Sequence, residues 1–233
     1  MSLIDEIVIT EGNREAYEAV LAITQEHDEP VRMFIYGPVG SGKSTVLQAR
    51  GREKDLLSKK KTLFCNAAEL MLAVTLEDFS EDYLTQAGTV DVLLIDGFED
   101  FFTKNGGELG PELCKLLLQE RNRQGLETVL FSNVPLEEVD ASKLGGVLDD
   151  YRMVPVEPLD AAGRLELARR IMNSLRTDDA KPIVTEEALE YIAGPFAQEV
   201  GDIRNALRYL IAVAGFEEGT TITLDLAKEA LHS

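Results

Sequence analysis

Apolar and polar positions follow two rhythms along this chain, and the rhythm changes once. Short runs rich in β-branched and aliphatic residues recur at Val31–Tyr36, Thr62–Cys65, Val90–Ile95, Thr128–Ser132 and Arg152–Val156. Helical patterns lie between them at Arg14–Gln25, Lys43–Leu57, Ala67–Leu72 and Gly110–Gln124, the last with Leu113, Leu116 and Leu117 at core-facing spacing. Strands this continuously apolar are buried on both faces, and strands alternating with helices pack as a parallel sheet covered on either side. After Glu157-Pro158-Leu159-Asp160 only the helical period remains, at Ala161–Leu175, Thr185–Ala193, Gly201–Ala214 and Leu224–Leu231, with Asp160 and Thr185 placed as N-caps. The pattern predicts an α/β domain with a five-stranded parallel sheet over residues 1–158, then a small all-helical domain over residues 159–233.

Composition narrows the function classes. Of 233 residues, 45% are hydrophobic and 28% charged, enough for a full core. No apolar run is long enough to cross a bilayer and the first residues lack the basic start of a secretory signal, so a cytoplasmic protein without a membrane partner is expected. Cys65 and Cys114 lie in apolar stretches and read as buried thiols, and two histidines, His27 and His232, are too few for a metal cluster. The 42 acids against 23 bases give a net charge of −19, which repels nucleic acid on average. No Lys or Arg stands between Lys61 and Lys104, and Glu69, Glu77, Asp78, Glu81 and Asp82 crowd part of that gap. The basic cluster Arg50, Arg52, Lys54, Lys59, Lys60 and Lys61 reads as a solvated helix end and turn.

Against this background one stretch carries chemistry. Gly37-Pro38-Val39-Gly40-Ser41-Gly42-Lys43-Ser44 follows an apolar run and opens a helical pattern, the context of a phosphate-binding P-loop. Glycines let successive N–H groups turn toward a phosphate, and the helix adds its positive end. Pro38, Val39, Gly40, Ser41, Gly42, Lys43, Ser44 and Thr45 are the predicted phosphate contacts, with Lys43 on the terminal phosphates and Ser44 on Mg²⁺. The strand ending in Asp96 supplies a second residue to organise the ion, because ligands of such sheets bind at the carboxyl ends of strands. Asn133, after the next strand, is placed to hydrogen-bond an attacking water or the γ-phosphate, and a plain turn opened by Ser132-Asn133-Val134-Pro135 accounts for the same residues equally well. A lone Arg204 on a helix is ordinarily surface decoration.

The order of these parts resembles the AAA+ ATPases, and within them the branch of the bacterial replication initiator DnaA and its shorter regulatory paralogue Hda. Phe34-Ile35-Tyr36-Gly37 with Gly40, Gly42 and Lys43 resembles the Walker A strand and loop, Val90–Asp96 the Walker B strand, and Ser132-Asn133 the sensor 1 position. Asp5, Val8, Asn13, Arg14 and Ala16 resemble the segment bordering the adenine; Pro158, Asp160 and Arg164 resemble the start of the helical lid; Gly201-Asp202-Ile203-Arg204 resembles the sensor 2 signature. The resemblance implies ATP or ADP with Mg²⁺, Asn13 near the base, Arg204 on the phosphates, another AAA+ or replication protein as partner, and a nucleotide-dependent oligomer.

Four departures limit what carries over. The sequence stops at Ser233 without a basic helix-turn-helix, so duplex DNA reading is not expected. The stretch around Leu72–Tyr83 is acidic where the initiator is basic, so single-stranded DNA binding is not expected either. Gly97 stands where an acid ordinarily follows the Walker B Asp, with Glu99 or Asp100 close by and Glu99 the candidate catalytic base, and Val147 stands where an arginine finger belongs, with Arg152 the nearest alternative. Three functions follow in order: a regulator with slow or partner-dependent hydrolysis, an adaptor holding its nucleotide structurally, and a P-loop kinase. The last is disfavoured by the lid helices and the lack of an Arg-rich second-substrate cleft.

Overall fold

The five apolar runs become one parallel sheet with the order β2-β3-β4-β1-β5. Its strands are β1 (Arg32–Tyr36), β2 (Thr62–Asn66), β3 (Val92–Asp96), β4 (Glu127–Ser132) and β5 (Arg152–Pro155). In this computed structural model the described residues are 8–22, 29–43, 60–75, 80–103, 107–175, 183–197, 199–214 and 220–232. The predicted strand at Val90–Ile95 is shifted by two residues at its start, because Val90 and Asp91 are used elsewhere: the Val90 carbonyl accepts from Arg121, and the Asp91 carboxylate accepts from the Lys61 N–H.

Side chains alternate between two cores, one on each face. Met33, Ile35, Val92, Leu94, Val129 and Phe131 pack with Ala16, Ala19 and Val20 of helix α1 (Glu11–Ala22). Phe34, Leu93, Ile95 and Leu130 pack on the opposite face. The helices there are α2 (Ala67–Thr75), α3 (Ser80–Thr89) and α4 (Leu109–Gln124), with a 3₁₀ turn at Phe98–Phe102. Helix α1 starts three residues before its predicted Arg14, and most of the predicted helix Lys43–Leu57 lies outside the described residues. Helix α3 was not expected, since few of its residues are apolar. On α4 the inward face is Cys114, Leu117, Leu118 and Arg121, while Leu116, expected inside, is 56% exposed. Cys65 and Cys114 are free buried thiols, and burial pushes Cys65 up to about 12.

Contacts divide the chain into two units. The sheet unit comprises Asn13–Pro38 and Lys43–Glu157; the second comprises Pro158–Ser233 with Met1–Gly12 and Val39–Gly42. The second unit holds α5 (Ala161–Leu175), α6 (Glu186–Tyr191), α7 (Val200–Val213) and α8 (Leu224–His232) around Leu167, Ile171, Ile192, Ile203, Leu207 and Leu210. Asp160 caps α5 by accepting from the Gly163 N–H at 2.7 Å, and Thr185 caps α6 by accepting from Ala188 N–H. The expectation of helices alone is corrected here, because Ile183–Val184 and Thr221–Ile222 pair as a short parallel ladder, β6 and β7. Helix α6 also runs on into a π-helical turn at Ile192–Phe196, whose Ala193 carbonyl accepts from the Arg164 guanidinium at 2.8 Å.

Among the described residues the largest fully buried side chain is a cation, Arg121. Its guanidinium donates to Thr128 Oγ1 at 2.9 Å and to the carbonyls of Ala87, Val90 and Glu127 at 2.7, 3.0 and 2.5 Å. Those carbonyls are acceptors at the end of α3 and the start of β4, so one side chain ties a helix to the sheet. Burial lowers its pKa to about 10. Arg121→Met leaves four acceptors, three of them in buried bonds, without their donor and is expected to cost about 3 kcal/mol or more in chemical denaturation. Arg121→Lys keeps the charge but loses the fork, and should recover only part of that stability.

Candidate nucleotide-binding site

The carboxyl ends of β3, β4 and β1 lie side by side because β4 is inserted between the other two. That arrangement brings three predicted residues together: Lys43 beyond β1, Asp96 on β3 and Asn133 just after β4. The chain leaves β1 through Gly37, whose N–H donates to the Ser132 carbonyl at 3.2 Å. A Cβ at Gly37 would stand 2.1 Å from the Val156 carbonyl oxygen, so only glycine fits. Farther along the loop, Gly40 and Gly42 adopt φ of 78° and 94°, the left-handed region.

Lys43 is only 5% exposed. Its ammonium donates to the carbonyls of Gly37 at 2.6 Å and Pro38 at 2.9 Å. Burial lowers its pKa, opposed by the Asp96 and Glu99 carboxylates. Asp96 Oδ1 accepts from the Gly97 N–H at 3.0 Å. Gly97 then turns left-handed at φ 69° and opens the 3₁₀ turn that carries Glu99.

Glu99 meets Asn133 directly. Its Oε1 accepts from Asn133 Nδ2 at 2.6 Å, and its Oε2 accepts from the Asn133 backbone N–H at 3.2 Å. Ser132 makes the turn, its hydroxyl donating to the Val134 carbonyl and accepting from the Val134 N–H, while Asn133 faces the acid. Asn66, at the end of β2 and level with Asp96, is a site neighbour the sequence reading missed. Its Oδ1 accepts from Ala68 N–H at the start of α2. Polar residues ending neighbouring strands were the available signal.

The other predicted residues are placed as follows. Asn13 is buried within α1, Ser41 is buried and Val39 is 62% exposed. Arg204 is half-buried on α7, whose start is a capping box of Glu199 and Asp202. Ser44 and Thr45 lie outside the described residues. Lys60 departs from its solvated reading: it pairs at 2.8 Å with Glu127, whose side chain is buried. At the position of the missing finger, the Val147 carbonyl accepts from Asn122 Nδ2 and its side chain packs on the core, while Arg152 on β5 pairs with Glu15. Among the described residues no cluster of His, Cys, Asp and Glu forms a metal site, and no helix is long and apolar enough to cross a membrane.

Two substitutions probe the acid turn. A Cβ on Gly97 would meet Asp100 Oδ2 at 2.9 Å and Asn66 Nδ2 at 3.1 Å in a conformation L-residues avoid. Gly97→Ala should therefore cost about 1–2 kcal/mol in denaturant unfolding. The Asp100 carboxyl pKa is raised by burial, then by Glu99 and Asp96. The folded state thus holds this proton to higher pH than the unfolded chain, and stability falls as pH rises through that window. Asp100→Asn should raise the melting temperature at pH 7, with the gain disappearing below about pH 3.5, where both states carry the proton.

Comparison with known proteins agrees with this fold. The profile of the bacterial DnaA ATPase domain matches residues 2–135. The chromosomal replication initiator DnaA of Lacticaseibacillus casei (strain BL23) is 29% identical over 247 residues, covering 98% of this chain and 51% of that protein. The chain thus spans about half the length of the curated relatives it matches. Domain III of Thermotoga maritima DnaA superposes with a TM-score of 0.80 at 22% identity, over 99% of this chain and 95% of that one. AMPPCP-bound DnaA from Aquifex aeolicus superposes with a TM-score of 0.74 at 22% identity, over 92% and 66%. With a P-loop α/β sheet, a helical lid and a family profile that matches more than half of its length, this chain belongs to the bacterial DnaA ATPase-domain family of AAA+ proteins.

Proposed function

We propose that this chain binds ATP and ADP and acts as a nucleotide-dependent regulator of replication initiation through protein contacts, with hydrolysis that is slow or dependent on a partner. The observation that carries the reading is the buried Lys43 ammonium at the end of β1, faced by the carboxylates of Asp96 and Glu99. A polyphosphate would replace its carbonyl partners as acceptor, because a charged phosphate is the stronger partner for a desolvated cation. The relative from Aquifex aeolicus was solved with AMPPCP, a ligand of this class. Asp96 offers a hard carboxylate oxygen at the strand end and suits Mg²⁺, together with Ser44 of the loop. Bound there, Mg²⁺ would neutralise phosphate charge. Arg204 and Asn13 keep the roles the resemblance gives them, as donor to phosphate and neighbour of the base.

Slow turnover is supported by what stands near Val147. An arginine finger is worth about 10³–10⁵ in rate among related NTPases. Here an aliphatic side chain packs inward instead, and Arg152 is paired with Glu15. Partner proteins are favoured over single-stranded DNA by the net charge of −19 and by the acid-rich run between Lys61 and Lys104. A second reading, an adaptor that holds nucleotide without hydrolysing it, is favoured by the Glu99 carboxylate being occupied by Asn133.

Calorimetric titration of the full chain with ADP and ATP in Mg²⁺ should give dissociation constants well below about 1 mM, and Lys43→Ala should abolish binding. Affinity weaker than that for both nucleotides removes the reading. Steady-state ATPase assays with and without the cellular initiator separate regulator from adaptor: turnover that disappears in Asp96→Asn supports the first, and no turnover under either condition supports the second.

A further inference from the structure

Val39–Gly42, the middle of the phosphate loop, falls in the helical unit, and there it packs against Glu199. A Cβ at Gly40 would stand 2.8 Å from Glu199 Cβ and 2.9 Å from its Cγ, so the acid's side chain lies on the loop and only glycine admits it. Glu199 is the N-cap of α7 and closes a capping box with Asp202, whose carboxylate accepts from the Glu199 N–H at 2.8 Å. The box fixes the backbone from which the Glu199 carboxylate projects. No Lys or Arg stands from residue 182 to residue 203, so no close neighbour in sequence neutralises that charge. An anion therefore rests against backbone whose N–H groups would cradle another anion.

We propose that Glu199 sets the affinity of the phosphate loop: its charge opposes phosphate at Gly40 and keeps bound nucleotide exchangeable. The inference rests on the nucleotide reading above and deepens it, from which ligand binds to how tightly it is held. A carboxylate packed on the loop repels a phosphate seated in it, and solvent screens that repulsion without abolishing it. Lys43 attracts the phosphates at one end of the loop, Glu199 opposes them at Gly40, and the affinity is the difference. Such a site releases its diphosphate more readily than the same loop without the acid. That suits a regulator that exchanges nucleotide better than an adaptor that keeps it.

Ser and Asp are both good N-caps, so Glu199→Ser and Glu199→Asp keep the start of α7 while differing in charge. Calorimetric titration of the full chain with ADP in Mg²⁺ should give a dissociation constant about fivefold lower for Glu199→Ser than for wild type, and within about twofold of wild type for Glu199→Asp. Release of a fluorescent ADP analogue, followed by stopped flow, should slow by a similar factor in Glu199→Ser and not in Glu199→Asp, because the change acts on the bound state. Glu199→Gln keeps the side-chain length and should match Glu199→Ser, which covers the case of a serine that loosens the helix. Asp150→Asn removes the same charge just before β5, at the amino ends of the strands, and should leave both quantities unchanged. Unchanged ADP affinity in both neutral variants, or an equal gain in Glu199→Asp or Asp150→Asn, overturns the proposal and leaves nucleotide binding standing. No binding of ADP by wild type or any variant overturns both.

Discussion

Burying the Lys43 ammonium imposes the constraint around which the sheet unit is arranged. A cation that is 5% exposed needs acceptors, and Gly37 and Pro38 supply carbonyls directly from the end of β1. Asp96 and Glu99 offset the remaining cost, and they can do so because β4 lies between β1 and β3 and brings the strand ends level. The local charge then has the wrong sign for its proposed ligand: Asp96, Glu99 and Asp100 outnumber Lys43. Burial and mutual repulsion already raise the Asp100 pKa. A polyphosphate entering here is better tolerated with a divalent cation than alone, which ties the nucleotide and Mg²⁺ parts of the reading together.

The three central strands β1, β3 and β4 were legible because they are buried on both faces, which leaves an uninterrupted apolar run in the sequence. What escaped detection lacked such a run. The β6–β7 ladder is two residues on each side, too short for any alternation to register. Arg121 was invisible for the opposite reason, since a charged residue on a helix reads as solvated. Only the acceptors that α3 and β4 converge on it, far apart in sequence, make its burial sustainable. The same helix misled through Leu116, which shares the leucine-rich segment but turns outward once Cys114, Leu117, Leu118 and Arg121 define the inner face.

At the site, legibility followed locality. Phosphate-loop glycines and the strand-terminal Asp96 are features of single short segments, and spacing alone located them. The pairing of Glu99 with Asn133 joins segments 34 residues apart and depends on a backbone conformation at Gly97 that no motif announces. Asn133 was ambiguous in sequence because turn formation and ligand contact were weighed as alternatives. In the structure Ser132 makes the turn and Asn133 meets an acid, Glu99.

Gly97 explains why the acid stands at position 99. A side chain directly after Asp96 would run into Asp100 and Asn66, and its φ of 69° disfavours any L-residue, so that position is closed to a carboxylate. The chain instead spends one 3₁₀ turn, which returns to the same side every three residues. Phe98 sets the phase of that turn. It is fully buried and meets Phe34 of β1 edge-on at 5.1 Å, so its neighbour Glu99 is turned away from the core and toward Asn133. The acid's aim is therefore fixed by aromatic packing beneath the sheet's end, and a change in the size of residue 98 would redirect Glu99 without touching any polar group of the site.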